Sequence, residues 1–433
     1  MEPKHMEKIA NITAGVIFFL MLVRTGERYF GAVWIAFALF LCVDMIYCHK
    51  YHRKIFPALH DSKIIIGSII LFYASLFLSS LFNGADGSMG FSFSLMKFTV
   101  PMWMLLYIIG KYKAMEGSMV GIAAGGLISS GYCIYQYFFI YPTEKEFGGR
   151  VFGLFQNPNL EGAVLEVLIP MLIYCIVTLH NKYLKGISFL SLIISYGALY
   201  LTGSRGAMLG LLIGTLLSVA LLLFLNYKIM DSKFLKKVVL YAGILCLING
   251  GIFSMTFTAR PVYQGQSNQA IQMEQQTERN RPTDNKLINR SDMERLKMIK
   301  ASFYMWQDHK ISGIGMGSWE KSYYTKYHLP DANLNTHYGF PHNMIMFFLA
   351  CGGIIGLIGY VIFTFGIGIG IVTERSSRVF VVTAAMLAMH IAFFVHGLVD
   401  QTIICRFCSY LYYGFMGLFI TSGFEQGAKK EED

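Results

Sequence analysis

The sequence predicts an all-α, polytopic integral membrane protein, and three observations carry that prediction. Of its 433 residues, 55% are hydrophobic and only 14% charged, against about 25% charged in ordinary soluble domains. Apolar runs of about 20 residues, each long enough to cross a bilayer, recur almost end to end. These runs do not alternate apolar and polar positions, as the strands of a membrane β-barrel do. A mean hydropathy of +0.49 agrees.

Twelve spans are expected, at approximately 9–23, 30–48, 64–82, 93–110, 117–140, 159–179, 186–202, 206–226, 236–256, 341–371, 378–396 and 403–423. Residues 1–256 thus hold spans one to nine and residues 257–340 one large polar loop. Residues 341–433 hold three more spans and a short tail. The first run is flanked by Lys4, Lys8, Arg24 and Arg28 and lacks a small-x-small cleavage site, so it reads as a retained span rather than a signal peptide.

Charge sets the expected orientation. With the N-terminus inside, 18 of the 36 basic residues fall in short inner segments and 7 in short outer ones. The remaining 11 lie in the long loop, where the positive-inside rule has little force. Both termini are expected to be cytoplasmic and the long loop outside. The net charge of +10 then reflects topology and contact with anionic membrane lipids, not nucleic-acid binding. Six cysteines lie in or beside spans, and Cys405 and Cys408 form a C-x-x-C pair at the start of the last one. Small polarisable packing residues explain them better than a metal or redox centre, though the two thiols can approach each other on a helix face.

The outer loop has two parts. Residues 260–286 are Gln- and Asn-rich and poor in large apolar side chains. SDMERLKMIKASFYMWQ then begins with a capping-box pattern, Ser291 followed by Glu294, and predicts an amphipathic helix with Leu296, Ile299, Phe303 and Trp306 on its apolar face. The following GIGMG lacks a preceding strand and the glycine spacing of a nucleotide loop, so it predicts a tight turn where backbone packs closely.

Four outward-facing features carry possible chemistry. GGRVFGLFQNPN, residues 148–159, places Arg150 near Asn157 and Asn159 around a proline turn. LTGSRGAMLG holds Arg205 in a very short outer turn at the membrane boundary, where it either snorkels to headgroups or binds a ligand. Arg295 lies on the amphipathic helix, as a solvated charge or a site cation. His342, in Pro341-His342-Asn343 before span ten, either satisfies a helix start or exchanges a proton. Arginines suit a lipid-linked diphosphate and stabilise it as a leaving group, and a histidine can deprotonate an attacking hydroxyl. Together they describe transfer of a group from a lipid pyrophosphate to an alcohol. No metal-ligand cluster is evident on the outer side and no cofactor is implied.

These pieces resemble the O-antigen ligase/polymerase (Wzy-C) superfamily. GRVFGLFQNPN, LTGSRGAMLG, RLKMIKASFYMWQDHKISGIGMGSW and PHNMIMFFLACGGIIGLIGY stand in the family's order around a large outer loop, over roughly residues 145–423. The resemblance implies a metal-independent glycosyl transfer from an undecaprenyl-diphosphate-linked glycan, with inversion, on the outer face of the bacterial cytoplasmic (inner) membrane. It implies that Arg205 and Arg295, with Arg150 in support, hold the donor diphosphate, and that His342 is the base. Asn343, Asp400, His396 and Asn159 are possible supporting residues, and Glu161 and Glu166 are expected to pair with arginine. The single dominant loop before the Pro-His-Asn motif is closest to the ligase pattern, with the lipid A core as acceptor. Polymerase and protein O-oligosaccharyltransferase activities are alternatives within the superfamily. A lipid-linked glycan transporter using the same arginines without chemistry is the alternative outside it, although the chain lacks the paired broken helices common in transporters.

Overall fold

The computed structural model describes residues 3–23, 29–51, 62–140, 150–155, 157–226, 232–258, 290–334, 338–373 and 380–422. The Gln/Asn-rich stretch 260–286 lies outside the described residues. So do several charges of the topology count: Arg24, Arg28, Arg53, Lys54, Lys145, Lys228, Arg375, Arg378, Lys429 and Lys430.

Every expected span meets a helix. In chain order these are α1 (Pro3–Leu22), α2 (Tyr29–Tyr51), α3 (Lys63–Asn83), α4 (Ser88–Tyr112), α5 (Met115–Ile140), α6 (Pro158–Thr178), α7 (Lys182–Thr202), α8 (Arg205–Asn226) and α9 (Ser232–Thr258). The helix α10 (Arg290–Asp308), between the expected spans, follows, then α11 (Met344–Thr373), α12 (Phe380–Gly397) and α13 (Arg406–Ser422). Among the described residues, 11 helices are long and apolar enough to cross a membrane. The 17-residue α13 stands where the twelfth span is expected. The chain is an all-α polytopic membrane protein.

α6 and α12 are the most enclosed of the long helices, whereas α9 lies at the edge against α8. The closest helix pairing is α8 with α12. Small residues permit it: a Cβ on Gly210 would fall 2.7 Å from the Ala392 carbonyl oxygen, and one on Gly214 2.4 Å from that of Ala388. Because successive helices run up and down, the 84–87, 150–157, 203–204, 290–343 and 398–405 connections share one end of the bundle.

α11 is unusually long. Thirty residues span about 45 Å at 1.5 Å each, well beyond a hydrocarbon core of about 30 Å. The helix breaks at Gly353, where φ is 61° and ψ −157°, a conformation open to glycine alone. The chain from α10 enters this break. Ile354 N donates to Lys310 O (2.9 Å), while Ile314 N and Gly315 N donate to Ala350 O (2.9 Å) and Cys351 O (3.0 Å). The groups freed by the break are thereby satisfied. The GIGMG stretch is therefore a close backbone contact, as its glycines suggest.

The face of α10 needs correction. Its buried side is Met298, Ala301, Ser302 and Met305, whereas Leu296 and Phe303 remain 52% and 38% exposed. The small Ala301 and Ser302 let the stacked Trp319–Tyr323 pair approach, and Trp319 Nε1 donates to Ser302 Oγ at 2.8 Å. The cap role expected of Ser291 lies outside the described side chains; Glu294 accepts from Lys297 Nζ and Asn333 N, both at 3.0 Å, tying the helix to the later loop.

Candidate functional site

The chain leading into α11 has an unusual backbone. His342 has φ of 50°, one of two non-glycine residues with positive φ among those described. A left-handed β-carbon-bearing residue costs about 1–2 kcal/mol, and such strain persists where neighbours impose it. Here the neighbours are clear. Asn343 caps α11, accepting from Met346 N at 2.9 Å, while its Nδ2 donates to Leu398 O at 2.9 Å. Pro341 lies before the helix rather than in its first turn. Capping thus belongs to Asn343, and the His342 ring is turned elsewhere.

It turns to Asp400. His342 Nδ1 lies 3.0 Å from Asp400 Oδ1, in the turn between α12 and α13. With a carboxylate opposite, Nδ1 carries the proton and donates, which makes Nε2 the basic nitrogen. Asp400 is only 5% exposed and has further partners. Oδ1 also accepts from Gln401 N (2.8 Å), and Oδ2 from Asn159 Nδ2 (2.7 Å). Arg295 approaches Oδ2 at 3.8 Å. Burial opposes ionisation of this carboxyl, but the hydrogen bond from His342, with His396 and Arg295 nearby, holds it well below the usual carboxylate range.

Asn159 links the acid to the next cation. Its Oδ1 accepts from an Arg150 terminal nitrogen at 2.6 Å, and Arg150 Nε donates to Thr202 O at 2.7 Å. Asn157 caps α6 through its side chain, which accepts from Asn159 N at 2.8 Å, and so sets the position of Asn159. Arg205 is the first residue of α8, half-buried, in a turn pressed against this cluster. Gly203, with φ of +57°, has Arg150 Nε 3.4 Å from where a Cβ would stand, and Gly206 has His396 Cδ2 at 2.6 Å. The N-terminus of α8 adds the positive end of a helix dipole to that of the guanidinium.

The structure therefore joins Arg150, Asn159, Asp400, His342 and Arg295 in one connected group. Asn343 supports its backbone, and the Arg205 turn lies against it. His396 is buried beneath, its carbonyl oxygen accepting from Asp400 N at 2.9 Å. Its ring faces Glu166, with Nδ1 and Oε2 3.1 Å apart. Glu166 thus pairs with histidine, not with the arginine expected from sequence. Glu161, fully buried, faces the Gly153 turn and Cys133 instead of an arginine. Gln136, which sequence reasoning passed over, accepts from Phe152 N (3.0 Å) and Gly153 N (2.9 Å) and fixes the loop carrying Arg150. Its one available signal was being a lone amide late in an apolar span. Cys405 and Cys408 are buried thiols 3.6 Å apart.

These features define a class: a polytopic helical membrane protein with a cationic, histidine-bearing site at one end of its bundle. Residues 190–361 match the model of the O-antigen ligase (Wzy_C) family, a likeness that supports the O-antigen ligase superfamily. The matched segment includes Arg205, Arg295 and His342, while Arg150, Asn159, His396 and Asp400 lie outside it. The family implies a bacterial membrane protein of transferase type, handling lipid-linked glycan and an acceptor. No curated protein matches the chain.

Proposed function

We propose that the protein transfers glycan from an undecaprenyl-diphosphate-linked donor to an acceptor hydroxyl, and that this reaction is O-antigen ligation to lipid A core. The site faces outward from the bacterial inner membrane, with both termini cytoplasmic. The excess of Lys and Arg in the expected inner segments supports that orientation.

The observation that carries the reading is the His342–Asp400 hydrogen bond at 3.0 Å beside Arg295. Asp400 orients the imidazole and favours the charge it gains. Nε2 of His342 takes the proton of the acceptor hydroxyl, whose oxygen bonds to the anomeric carbon from the face opposite the diphosphate. The bond from that carbon to the diphosphate oxygen breaks, and its electron pair leaves with the diphosphate. Arg205 and Arg295 stabilise the developing charge, so in this reading the cations are supplied by side chains and no metal is used. At 3.8 Å from Asp400, Arg295 acts on it by charge rather than by a short hydrogen bond, which suits a guanidinium that also serves a phosphate. Arg150 donates to Thr202 O and Asn159. Its contribution to the donor is therefore mainly the placement of Asn159 and long-range charge.

The test is transfer by purified protein with lipid-linked glycan and a panel of acceptors: lipid A core, a second lipid-linked glycan and a protein hydroxyl. Product on lipid A core supports the ligase reading. Product on lipid-linked glycan alone makes the protein a polymerase, and unchanged transfer by His342→Ala removes His342 as base.

A further inference from the structure

One pair of charged side chains takes no part in the chemistry above. Glu166, in α6, and His396, in the last turn of α12, are 0% and 2% exposed, and their Oε2 and Nδ1 lie 3.1 Å apart. The approach is at ion-pair distance but off the line of a hydrogen bond. Sealing two charges inside an apolar bundle is costly, and an apolar pair of similar volume would hold α6 to α12 at least as well. Ionisable residues within spans therefore call for a functional explanation.

Their surroundings supply one. The His396 carbonyl receives Asp400 N, at 2.9 Å, and Val399 N, also at 2.9 Å, so the turn bearing Asp400 is built on His396. The His396 ring abuts Gly206, one residue from Arg205; a Cβ there would fall 2.6 Å from Cδ2 and 3.0 Å from Nε2. Glu166 meets the same helix one turn on, where a Cβ at Gly210 would stand 3.2 Å from Oε2. The pair thus touches the element that carries Asp400 and the element that carries Arg205.

We propose that Glu166 and His396 form a positioning pair that sets the Asp400 and Arg205 turns against each other and holds a positive charge behind Asp400. This rests on the transferase reading. Glu166 Oε2, 3.1 Å from His396 Nδ1, is the acceptor placed to balance a proton on that ring. A cation there, like the Arg295 guanidinium 3.8 Å from Oδ2, favours ionised Asp400 against the effect of burial. Ionised Asp400 in turn keeps the His342 Nδ1 proton in place and Nε2 basic. The other charged groups facing the pair are Arg295 on α10 and Asp400 in the following turn.

The deciding variant is Glu166→Met combined with His396→Leu, which keeps volume and removes both charges. It is expected to fold to wild-type yield while kcat falls about 10–100-fold, the usual cost of removing a group that orients a reactive one. Adding Asp400→Asn is expected to cost little more, because both changes act through the same carboxylate. Glu166→Asp, which keeps the charge, should recover part of the loss that Glu166→Gln causes. Wild-type kcat in the Met/Leu variant, or losses that add when Asp400→Asn is included, would overturn the proposal. A second measurement needs no turnover: the rate at which diethyl pyrocarbonate modifies His342, followed by mass spectrometry of the full-length protein. Modification is expected to be slower in Glu166→Gln than in wild type, and equal rates overturn the proposal even if the Met/Leu variant fails to fold. Absence of transfer by the wild-type protein would sink the transferase reading instead, and the modification rate would still judge the pair.

Discussion

Among the described residues the bundle contains two buried aspartates beside cations, one at each end, and they are built differently. At the end opposite the site, Asp44 of α2 is enclosed by α4. Lys111 Nζ lies 2.7 Å from Oδ2, the hydroxyls of Tyr107 and Tyr112 donate to the same carboxylate, and Lys111 reaches Cys48 Sγ at 3.0 Å. Asp44 is fully buried and the Lys111 side chain only 10% exposed. Asp400 has amide and backbone donors, but its cation stands back at 3.8 Å and its histidine is 23% exposed. The Asp44 group is closed on itself and pins a peripheral helix to the bundle. The Asp400 group holds a histidine and an arginine at the opposite end without closing over them. Buried charge alone does not mark a site; the distinction is whether the partners complete each other or present something outward.

The largest expected effect tests the open cluster. His342→Ala should lower transfer by about 10²–10⁴-fold, the usual contribution of a positioned base, with donor binding retained. Product formation from labelled donor and a separate donor-binding measurement check both halves. Arg205→Ala and Arg295→Ala should follow, each lowering kcat/KM for donor by about 10²–10³-fold, the scale of losing one preorganised charge-stabilising group. Normal donor kinetics in both variants would remove the diphosphate role from the pair. Lys at either position should restore only part, since it lacks the two-pronged geometry of arginine.

The closed cluster should respond in the other quantity. Asp44→Asn leaves Lys111 buried beside neutral groups, and breaking a buried pair in this way costs about 3–5 kcal/mol. A lower melting temperature and lower folded yield are expected, with the specific activity of the surviving protein unchanged. Asp44→Leu with Lys111→Met should return much of the stability. A full-yield Asp44→Asn protein without transfer activity would erase the contrast and make the Asp44 cluster part of the function.

How much of this was legible in the sequence follows from the range of the interactions. Helix positions were, because membrane length and apolarity are local properties, and each of the twelve expected spans coincides with a helix to within a few residues. The break at Gly353 was hidden inside an uninterrupted apolar run. It exists because a segment some 40 residues earlier supplies backbone partners there. The buried face of α10 was misread because large apolar residues were taken to face inward, whereas Ala301 and Ser302 make room for Trp319. Of the site, the individual charged residues could be named from their loops and from family likeness. Their connections could not: Asn159 and Asp400 are 241 positions apart, and nothing local in either motif announces the bond. Glu166 shows the same limit, since its histidine partner is fixed only once α6 and α12 are side by side.

The smallest expected effect is also the sharpest test of the opening motif of α11, where adjacent residues have opposite duties. Asn343 supplies the cap of α11, through Met346 N, and a tether to Leu398, two residues before Asp400. Losing a cap side chain costs about 1 kcal/mol, so Asn343→Ala should lower the melting temperature slightly. Its effect on transfer should be modest and should come through kcat, because the loosened tether lets Asp400 drift from His342 while the arginines stay in place. Asn343→Ser or Asn343→Asp can still accept from Met346 N but cannot donate to Leu398 O in the same geometry. Both should therefore recover stability before activity. His342→Ala should show the reverse: a melting temperature near wild type, since the removed side chain is partly exposed, with transfer lost. If both substitutions moved stability and activity together, His342 would be one more contact holding the helix start, and the division of labour within Pro341-His342-Asn343 would collapse.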